Sequence, residues 1–325
     1  MLPIAVDAMG GDKAPAEIVA GARRAAAELG LPILLVGRRA ALGDVGDLEV
    51  LEASEVIGMD DDPGAGVRKK RDSSLVRAAE AVRDGRASAM VSAGNTGATM
   101  ASALLRMGRV KGVTRPAIAT VIPVPGSTPT VLLDAGANAE CQPDWLVQFA
   151  LMGSVFARQR FGIASPRVGL LSIGEEATKG SPLVKQTHSL LVEVPGLNFV
   201  GNVEGRDIMT PAVDVVVTDG FTGNVVLKTL EGGIKTLVAA LFAVFGASPE
   251  NKAAAEVLLP GLLPLYETLD PDTYGGAMLL GVEGVCIIGH GSSSARAVVN
   301  AVRIAAEMVE AGLVKELRAA VATTS

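Results

Sequence analysis

The chain has 325 residues and a formal net charge of -6, from 29 Lys and Arg against 35 Asp and Glu, so it lacks the overall positive charge that attracts nucleic acid. Hydrophobic residues make up 49% of the sequence but aromatic residues only 3%, which disfavours modules that stack bases on aromatic rings. Two cysteines and two histidines (Cys141, Cys286, His188 and His290) provide little material for a disulfide framework, a zinc site or a histidine–aspartate relay.

Short β-branched segments alternate with longer segments rich in Ala, Leu, Glu and Arg, which is typical of strands followed by helices. The predicted strands span residues 3–8, 32–36, 87–92, 168–173, 198–203, 213–218 and 285–289, and the first helices span 16–29 and 97–107. We therefore expect an α/β fold with a mostly parallel sheet. Residues 117–124 and 130–134 are the exception, because the Pro-Gly-Ser-Thr-Pro connection predicts an antiparallel pair.

No Gly/Ser-rich linker divides the sequence, so we expect one α/β domain over residues 1–325 with a central cleft. Residues 59–74 interrupt the alternation with an acidic triplet, a Pro-Gly turn and four basic residues, namely Arg68, Lys69, Lys70 and Arg71. Such a charge run is typical of a solvated loop, and the alternative interpretation is a docking patch.

Residues 251–281 are a second interruption, which we interpret as an apolar helical excursion from the domain. Pro260 and Pro264 are expected to break any continuous helix and to leave a compact apolar cluster. This cluster would form core, a dimer contact or a membrane-touching tip. The longest charge-free runs, 87–105 and 116–133, contain polar residues and prolines, so no transmembrane helix is predicted. The N-terminus has no basic leader, and we expect a protein of the reducing cytosol.

Several predicted strands end in Gly-rich turns that open helices, a geometry that directs backbone N–H groups at an anion. These turns span residues 7–12, 92–97, 172–181, 218–223 and 288–294, and two of them contain Gly-x-Thr-Gly. In a parallel sheet they would meet at one edge and form a phosphate or oxyanion site. The candidate binding residues are Gly94, Asn95, Thr96, Gly97, Gly220, Thr222 and Gly223, with helix capping as the alternative role of the polar ones.

Charged and polar side chains near these turns are the candidates for chemistry. Lys179 and Lys228 would bind phosphate, whereas Lys185, Asn224 and His290 are the candidate catalytic residues, for charge neutralisation and proton transfer. The alternative for each lysine is an exposed side chain with no part in the chemistry. The alternative for His290 is a structural histidine held by backbone hydrogen bonds. A Rossmann Gly-x-Gly-x-x-Gly and a Walker loop are both missing, which disfavours dehydrogenase and ATPase activity.

Long blocks of the sequence resemble the bacterial phosphate acyltransferase family. The similar blocks are residues 4–12, 92–98, 115–117, 133–138, 202–207, 214–224, 274–276 and 290–293. The resemblance implies transfer of the acyl group from acyl-[acyl carrier protein] to inorganic phosphate at the entry to phospholipid synthesis, upstream of a membrane glycerol-3-phosphate acyltransferase. It also implies a three-layer α/β/α fold related to phosphotransacetylases and to isocitrate- and isopropylmalate-type dehydrogenases, and no metal or organic cofactor.

The same resemblance implies a homodimer that associates peripherally with the inner membrane face. Leu258, Leu259, Leu262 and Leu263 lie in the region where relatives contact the membrane. Because acyl carrier proteins are acidic, the four basic residues at 68–71 become a candidate docking patch. Two alternatives stay open: a phosphotransacetylase-like enzyme that uses acyl-coenzyme A, and a non-catalytic anion-binding protein.

Overall fold

The computed structural model describes residues 1–322, and its centre is one sheet of eleven strands. The strands are β1 (Ile4–Asp7), β2 (Ile33–Gly37), β3 (Glu49–Glu52), β4 (Ala89–Ser92), β5 (Ala117–Ile122), β6 (Thr130–Leu133), β7 (Val168–Leu171), β8 (Phe199–Val203), β9 (Val215–Val217), β10 (Ala277–Leu280) and β11 (Val285–Ile288). Their order across the sheet is β3-β2-β1-β4-β11-β10-β5-β6-β9-β7-β8.

Helices cover both faces of this sheet, which confirms the predicted three-layer α/β/α fold. They are α1 (Ala16–Leu29), α2 (Pro63–Lys69), α3 (Ser74–Arg83), α4 (Thr96–Ser102), α5 (Pro143–Phe161), α6 (Pro182–Val192), α7 (Gly220–Gly246), α8 (Pro249–Leu269), α9 (Ala295–Glu310) and α10 (Leu313–Ala322). Successive strand residues point to opposite faces, so Ile4 and Val6 belong to the core cluster that includes residues of α1, α5, α9 and α10, whereas Ala5 belongs to the cluster that includes residues of α3 and α4.

The direction of the strands reverses in the middle of the sheet. Most pairings are parallel, as expected, but β11–β10, β10–β5 and β5–β6 are antiparallel. Because the number of reversals is odd, β6, β9, β7 and β8 run opposite to β1, β2, β3, β4 and β11. The two halves of the sheet therefore have their carboxyl ends at opposite edges.

The antiparallel β5–β6 pair is confirmed, with Ala119 opposite Leu133 and Ile122 opposite Thr130. Two local predictions were wrong. Residues 59–74 are not only a loop, because Asp62 caps α2 by accepting a hydrogen bond from the backbone N–H of Ala65. Residues 251–281 are not one helical excursion either, because their last part forms the central strand β10.

Helices α7 and α8 form an exposed antiparallel hairpin. At about 1.5 Å per residue, the 27 residues of α7 extend about 40 Å, well beyond the short strands that its first half covers. Helix α8 is continuous, contrary to the prediction, although Pro260 and Pro264 lie inside it. Both prolines are exposed, so the carbonyls that lose an N–H partner can be hydrated.

Among residues 1–322, α7 is by length and composition apolar enough to cross a membrane, and none of its apolar window is buried. Our expectation of no such helix rested on uninterrupted charge-free runs. Lys228, Glu231 and Lys235 interrupt α7, so that criterion missed it. The hairpin of α7 and α8 therefore presents an exposed apolar surface.

Candidate active site

A cavity of about 430 Å³ lies against β5, between the turn that begins α4 and the first half of α7. Pockets of this size hold small molecules and cofactors. Its lining includes Asp12, Met59, Gly94, Thr96, Ile118, Thr120, Ile122, Ala135, Met209, Asn224, Leu227, Lys228, Leu230, Glu231, Ile234, Lys235, Asp272, Gly289, His290 and Gly291. Of the candidate catalytic and phosphate-binding residues, the cavity brings together Gly94, Thr96, Asn224, Lys228 and His290.

Three of the predicted Gly-rich turns do meet at one edge, after β1, β4 and β11. The backbone N–H of Asp12 donates to the carbonyl of Gly291 at 2.8 Å, and the N–H of Gly289 donates to the carbonyl of Ser92 at 2.7 Å. The Ser92 hydroxyl donates to Oδ2 of Asp7 at 2.7 Å and accepts from the N–H of Gly94 at 3.0 Å. These bonds hold the three turns in one rigid rim.

Asp7 is the buried anchor of this rim and is only 2% exposed. Burial raises the pKa of Asp7, while hydrogen bonds from Ser74, Ser92 and the backbone N–H groups of Met9 and Gly10 oppose that shift. The carboxyl group therefore ties β1 to β4 and does not face the cavity as a reactive group.

The turn before α4 uses one of its candidate residues for capping. The Asn95 side-chain oxygen accepts from the N–H of Ala98 at 3.0 Å, and its amide nitrogen donates to the Met59 carbonyl at 2.7 Å. Gly97 lies against Pro63, away from the cavity lining. Gly94 and Thr96 are the residues of this turn that line the cavity.

The second Gly-x-Thr-Gly turn, residues 220–223, lies at the opposite edge, since it follows β9. The Asp219 carboxylate caps α7 by accepting from the N–H and the hydroxyl of Thr222, both at 2.8 Å. A helix start already occupied by its own carboxylate is a poor site for another anion. Gly220 and Gly223 serve close packing instead, because a Cβ at Gly223 would lie 1.9 Å from the carbonyl oxygen of Asp134.

Asp134, 0% exposed, holds the neighbouring segment 134–138, whose Asn138 carbonyl accepts a hydrogen bond from the N–H of Gly220 at 2.8 Å. Its carboxylate accepts hydrogen bonds from the backbone N–H groups of Ile118, Gly136, Ala137 and Asn138 and from the Asn138 side chain, at 2.7 to 3.1 Å. Burial raises its pKa, and these donors act in the opposite sense.

Convergence of all five turns was therefore a wrong prediction, and the reversal of strand direction is the reason. Lys179 and Lys185 follow β7, whose carboxyl end lies at the edge away from the rim of β1, β4 and β11. Both are exposed, and neither lines the cavity. Gly220, Thr222 and Gly223 follow β9 at that same edge.

Helix α7 nevertheless reaches the cavity, because it runs from the far edge back across the sheet. One stripe of its side chains is polar, and an adjacent stripe is apolar. The polar stripe is Asn224, Lys228, Glu231 and Lys235, and the apolar stripe is Leu227, Leu230 and Ile234. The Lys228 ammonium pairs with the Glu231 carboxylate at 2.8 Å, on a side chain that is 52% exposed and can exchange partners.

The remaining polar candidates have distinct surroundings. His290 is exposed at the cavity, with Nδ1 2.8 Å from the Ser292 hydroxyl. His188 lies away from it in α6, with Nδ1 3.0 Å from the side-chain oxygen of Asn202. Burial raises the pKa of Cys141 and of Cys286 to about 12, so neither is a thiolate at neutral pH. Within residues 1–322, no cluster of His, Cys, Asp or Glu could hold a metal ion.

The basic segment begins in α2, which packs on α4, and none of its four basic residues lines the cavity. Arg68, Lys69 and Arg71 are exposed. Lys70 differs from them, since its ammonium pairs with Asp61 at 2.5 Å and donates to the Val56 carbonyl at 2.8 Å. Three of the four basic residues are thus available to a partner.

Two features of the site were not among the candidates predicted from the sequence. The buried carboxylates Asp7 and Asp134 have a common signal: each ends an apolar strand and is followed by Ala and a nearby Gly. The apolar wall formed by Ile122, Met209 and Leu230 has no local signal, because its members come from distant segments.

Known proteins of similar structure have the same fold, and a family model matches most of the chain. A family model described as "Fatty acid synthesis protein" matches residues 2–316. By structure, the chain is similar to a branched-chain phosphotransacylase from Enterococcus faecalis V583, with a TM-score of 0.63 and 15% identity over 95% of this chain and 99% of that one. A 4-hydroxythreonine-4-phosphate dehydrogenase from Klebsiella pneumoniae has a TM-score of 0.53 at 12% identity, covering 95% and 100%. At such identities the likeness concerns the fold alone.

The sequence relatives are much closer. The chain is 49% identical over 327 residues to a protein of Desulfitobacterium hafniense strain Y51 named "Phosphate acyltransferase", covering 98% of this chain and 97% of that protein. Identity of this extent leaves no room for the non-catalytic alternative. The chain therefore belongs to the phosphate acyltransferase family and is an enzyme that catalyses an acyl transfer in which phosphate takes part.

Proposed function

We propose that the chain converts acyl-[acyl carrier protein] and inorganic phosphate to acyl phosphate and free acyl carrier protein. The observation that carries this proposal is the cavity itself, which joins Thr96, Lys228 and His290 to an apolar wall. A phosphate dianion and a fatty acyl thioester need these two environments side by side.

The chemistry requires positioning more than a protein nucleophile. A phosphate oxygen forms a bond to the thioester carbonyl carbon, the carbon–sulfur bond breaks, and the sulfur leaves as a thiolate that takes up a proton. Thr96 and Lys228 would hold phosphate beside the carbonyl, next to Gly94, with Lys228 exchanging Glu231 for the incoming anion. His290 and Asn224 would then orient the phosphate or the oxyanion.

The carrier protein would dock on Arg68, Lys69 and Arg71. These side chains are exposed, and they would attract a carrier protein with an acidic surface over a distance of about one Debye length, beyond which salt screens the charges. Lys70 holds the loop in place through Asp61 and is not part of the proposed contact surface.

The α7–α8 hairpin would place the enzyme on the inner membrane face. Leu258 and Leu263 are 56% and 54% exposed, whereas Leu259 and Leu262 are half-buried, so the first pair would contact lipid. Exposed Leu237, Phe242 and Val257 enlarge the same apolar surface. The acyl phosphate would pass to a glycerol-3-phosphate acyltransferase in that membrane. We also propose a homodimer as the working form.

The test is thiol release from palmitoyl-[acyl carrier protein] by the purified protein, with and without inorganic phosphate. We expect release that requires phosphate and yields acyl phosphate. Phosphate-dependent release from palmitoyl-coenzyme A alone would assign the enzyme to the coenzyme A alternative. Release from neither thioester would overturn the proposal.

A further inference from the structure

The cavity has an apolar end that phosphate does not need. This end is lined by apolar side chains of α7, β5 and the segment after β8, namely Leu227, Leu230, Ile234, Ile122 and Met209. Ile122 is 3% exposed and belongs to a packed cluster in the second half of the sheet, against which Met209, Leu227 and Leu230 pack. The wall of this end is therefore part of a core and has a fixed shape.

The same helix turn joins the polar and apolar ends. Lys228 follows Leu227 directly, and Glu231 follows Leu230, so the two stripes of α7 lie side by side along the cavity. A molecule with its reactive carbonyl beside Lys228 would extend its hydrocarbon part along Leu230 toward Met209. A long unbranched chain fits this arrangement better than a polar or a short acyl group does.

We propose that this apolar end binds the acyl chain of the substrate, and that Leu230 and Met209 determine which chain lengths the enzyme accepts. The inference rests on the proposed function and adds the residues that select the acyl group. Each methylene that enters the apolar end leaves water and strengthens binding about fourfold. A bulkier side chain at Leu230 would exclude methylenes and remove that gain for long chains only.

The experiment measures kcat/KM for octanoyl, lauroyl, palmitoyl and stearoyl thioesters of acyl carrier protein at saturating phosphate. Leu230→Phe is expected to lower the value for palmitoyl and stearoyl about tenfold or more, and to leave octanoyl unchanged. The matched control is Val225→Phe, on the exposed side of the same helix, for which we expect the wild-type profile. A Leu230→Phe profile parallel to wild type at every length would overturn the proposal.

Two further measurements keep the inference separate from the proposed function. Leu230→Ala enlarges the same end and should move the optimum toward longer chains, a result that does not depend on whether the Phe variant folds. Displacement of bound cis-parinaric acid by fatty acids of the same lengths reports chain binding without turnover. No phosphate-dependent turnover by the wild type would overturn the proposed function. Turnover by the wild type, with a Leu230→Phe length profile parallel to wild type in both turnover and displacement, would overturn only the acyl-chain site.

Discussion

The two Gly-x-Thr-Gly turns have the same sequence pattern and different places in the site. Residues 94–97 follow β4, border the cavity and contribute Gly94 and Thr96 to it. Residues 220–223 follow β9 at the opposite edge, and their glycines pack against the segment that begins at Asp134. In both turns a side chain of the chain itself caps the helix, Asn95 in the first and Asp219 in the second.

This difference shows that a Gly-rich turn after a strand does not by itself indicate where an anion binds. A buried carboxylate lies near each turn: Asp7 accepts from Ser92 beside the first, and Asp134 holds the segment 134–138 that contacts the second. What differs is the direction of the supporting strand, and with it the edge at which the turn lies. The polar side chains that follow the second turn and line the cavity, Asn224 and Lys228, lie on α7, which extends back across the sheet.

Gly223→Ala tests the packing difference and should have the largest effect. A Cβ 1.9 Å from the Asp134 carbonyl oxygen forces the backbone of α7 to move, and we expect a loss of about 3 kcal/mol or more in the free energy of unfolding. At Gly97 a Cβ would approach Cγ of Pro63 at 2.7 Å, so Gly97→Ala should cost about 1 to 2 kcal/mol. Urea unfolding measures both, and equal costs would contradict the comparison.

Lys228→Met and Lys185→Met test which edge carries the chemistry. Lys228 lines the cavity, so its loss should lower kcat/KM for phosphate about 100-fold, as for other residues that stabilise developing charge. Lys185, in α6 at the other edge, should have no effect on steady-state kinetics. A large effect of Lys185→Met would show that the second edge also takes part in the reaction.

Arg68→Ala combined with Lys69→Ala tests the docking surface beside the first turn. We expect the KM for acyl carrier protein to rise about three- to tenfold at low ionic strength, with kcat unchanged, because exposed charges steer association. The difference should vanish in high salt. The control is Arg303→Ala, an exposed residue of α9, and an equal effect there would point to net charge in place of a docking site.

Asp7→Asn tests the carboxylate under the first turn through the pH dependence of stability. Because the folded-state pKa of Asp7 is raised from 3.8, its contribution to the free energy of unfolding is complete below that value and is lost as pH rises through the raised pKa. Asn has no proton to lose, so the variant should gain stability relative to wild type as pH rises over this range.

Asp44→Asn is the matched control with the opposite sign. The Gly46 N–H and the Arg23 guanidinium lower the pKa of Asp44, so wild type gains stability as pH rises toward 3.8 and the variant should fall behind it. Chemical unfolding from about pH 3 to pH 7 measures both differences. A difference between Asp7→Asn and wild type that does not change with pH would show that folding does not raise the pKa of Asp7.

The sequence by itself determined the class of fold, the main strands and the family. Strand and helix periodicities are local properties, so β1, α1 and the β5–β6 pair could be predicted from short segments. Ungapped blocks such as residues 214–224 carried the family, because a long block is far more specific than a short turn. Four of the cavity's polar residues, Thr96, Asn224, Lys228 and His290, were among the candidates because they lie in the Gly-rich turns after strands or at the start of the helix that follows.

Only the tertiary structure decided which candidates share a cavity. The order and direction of strands depend on pairings between distant segments, and the unpredicted strand β10 supplies two of the three reversals. These reversals moved Lys179 and Lys185 away from the site and gave α7 its path across the sheet. The apolar end of the cavity also formed only through packing, because Ile122, Met209 and Leu230 are remote in sequence and meet on one side of the folded sheet.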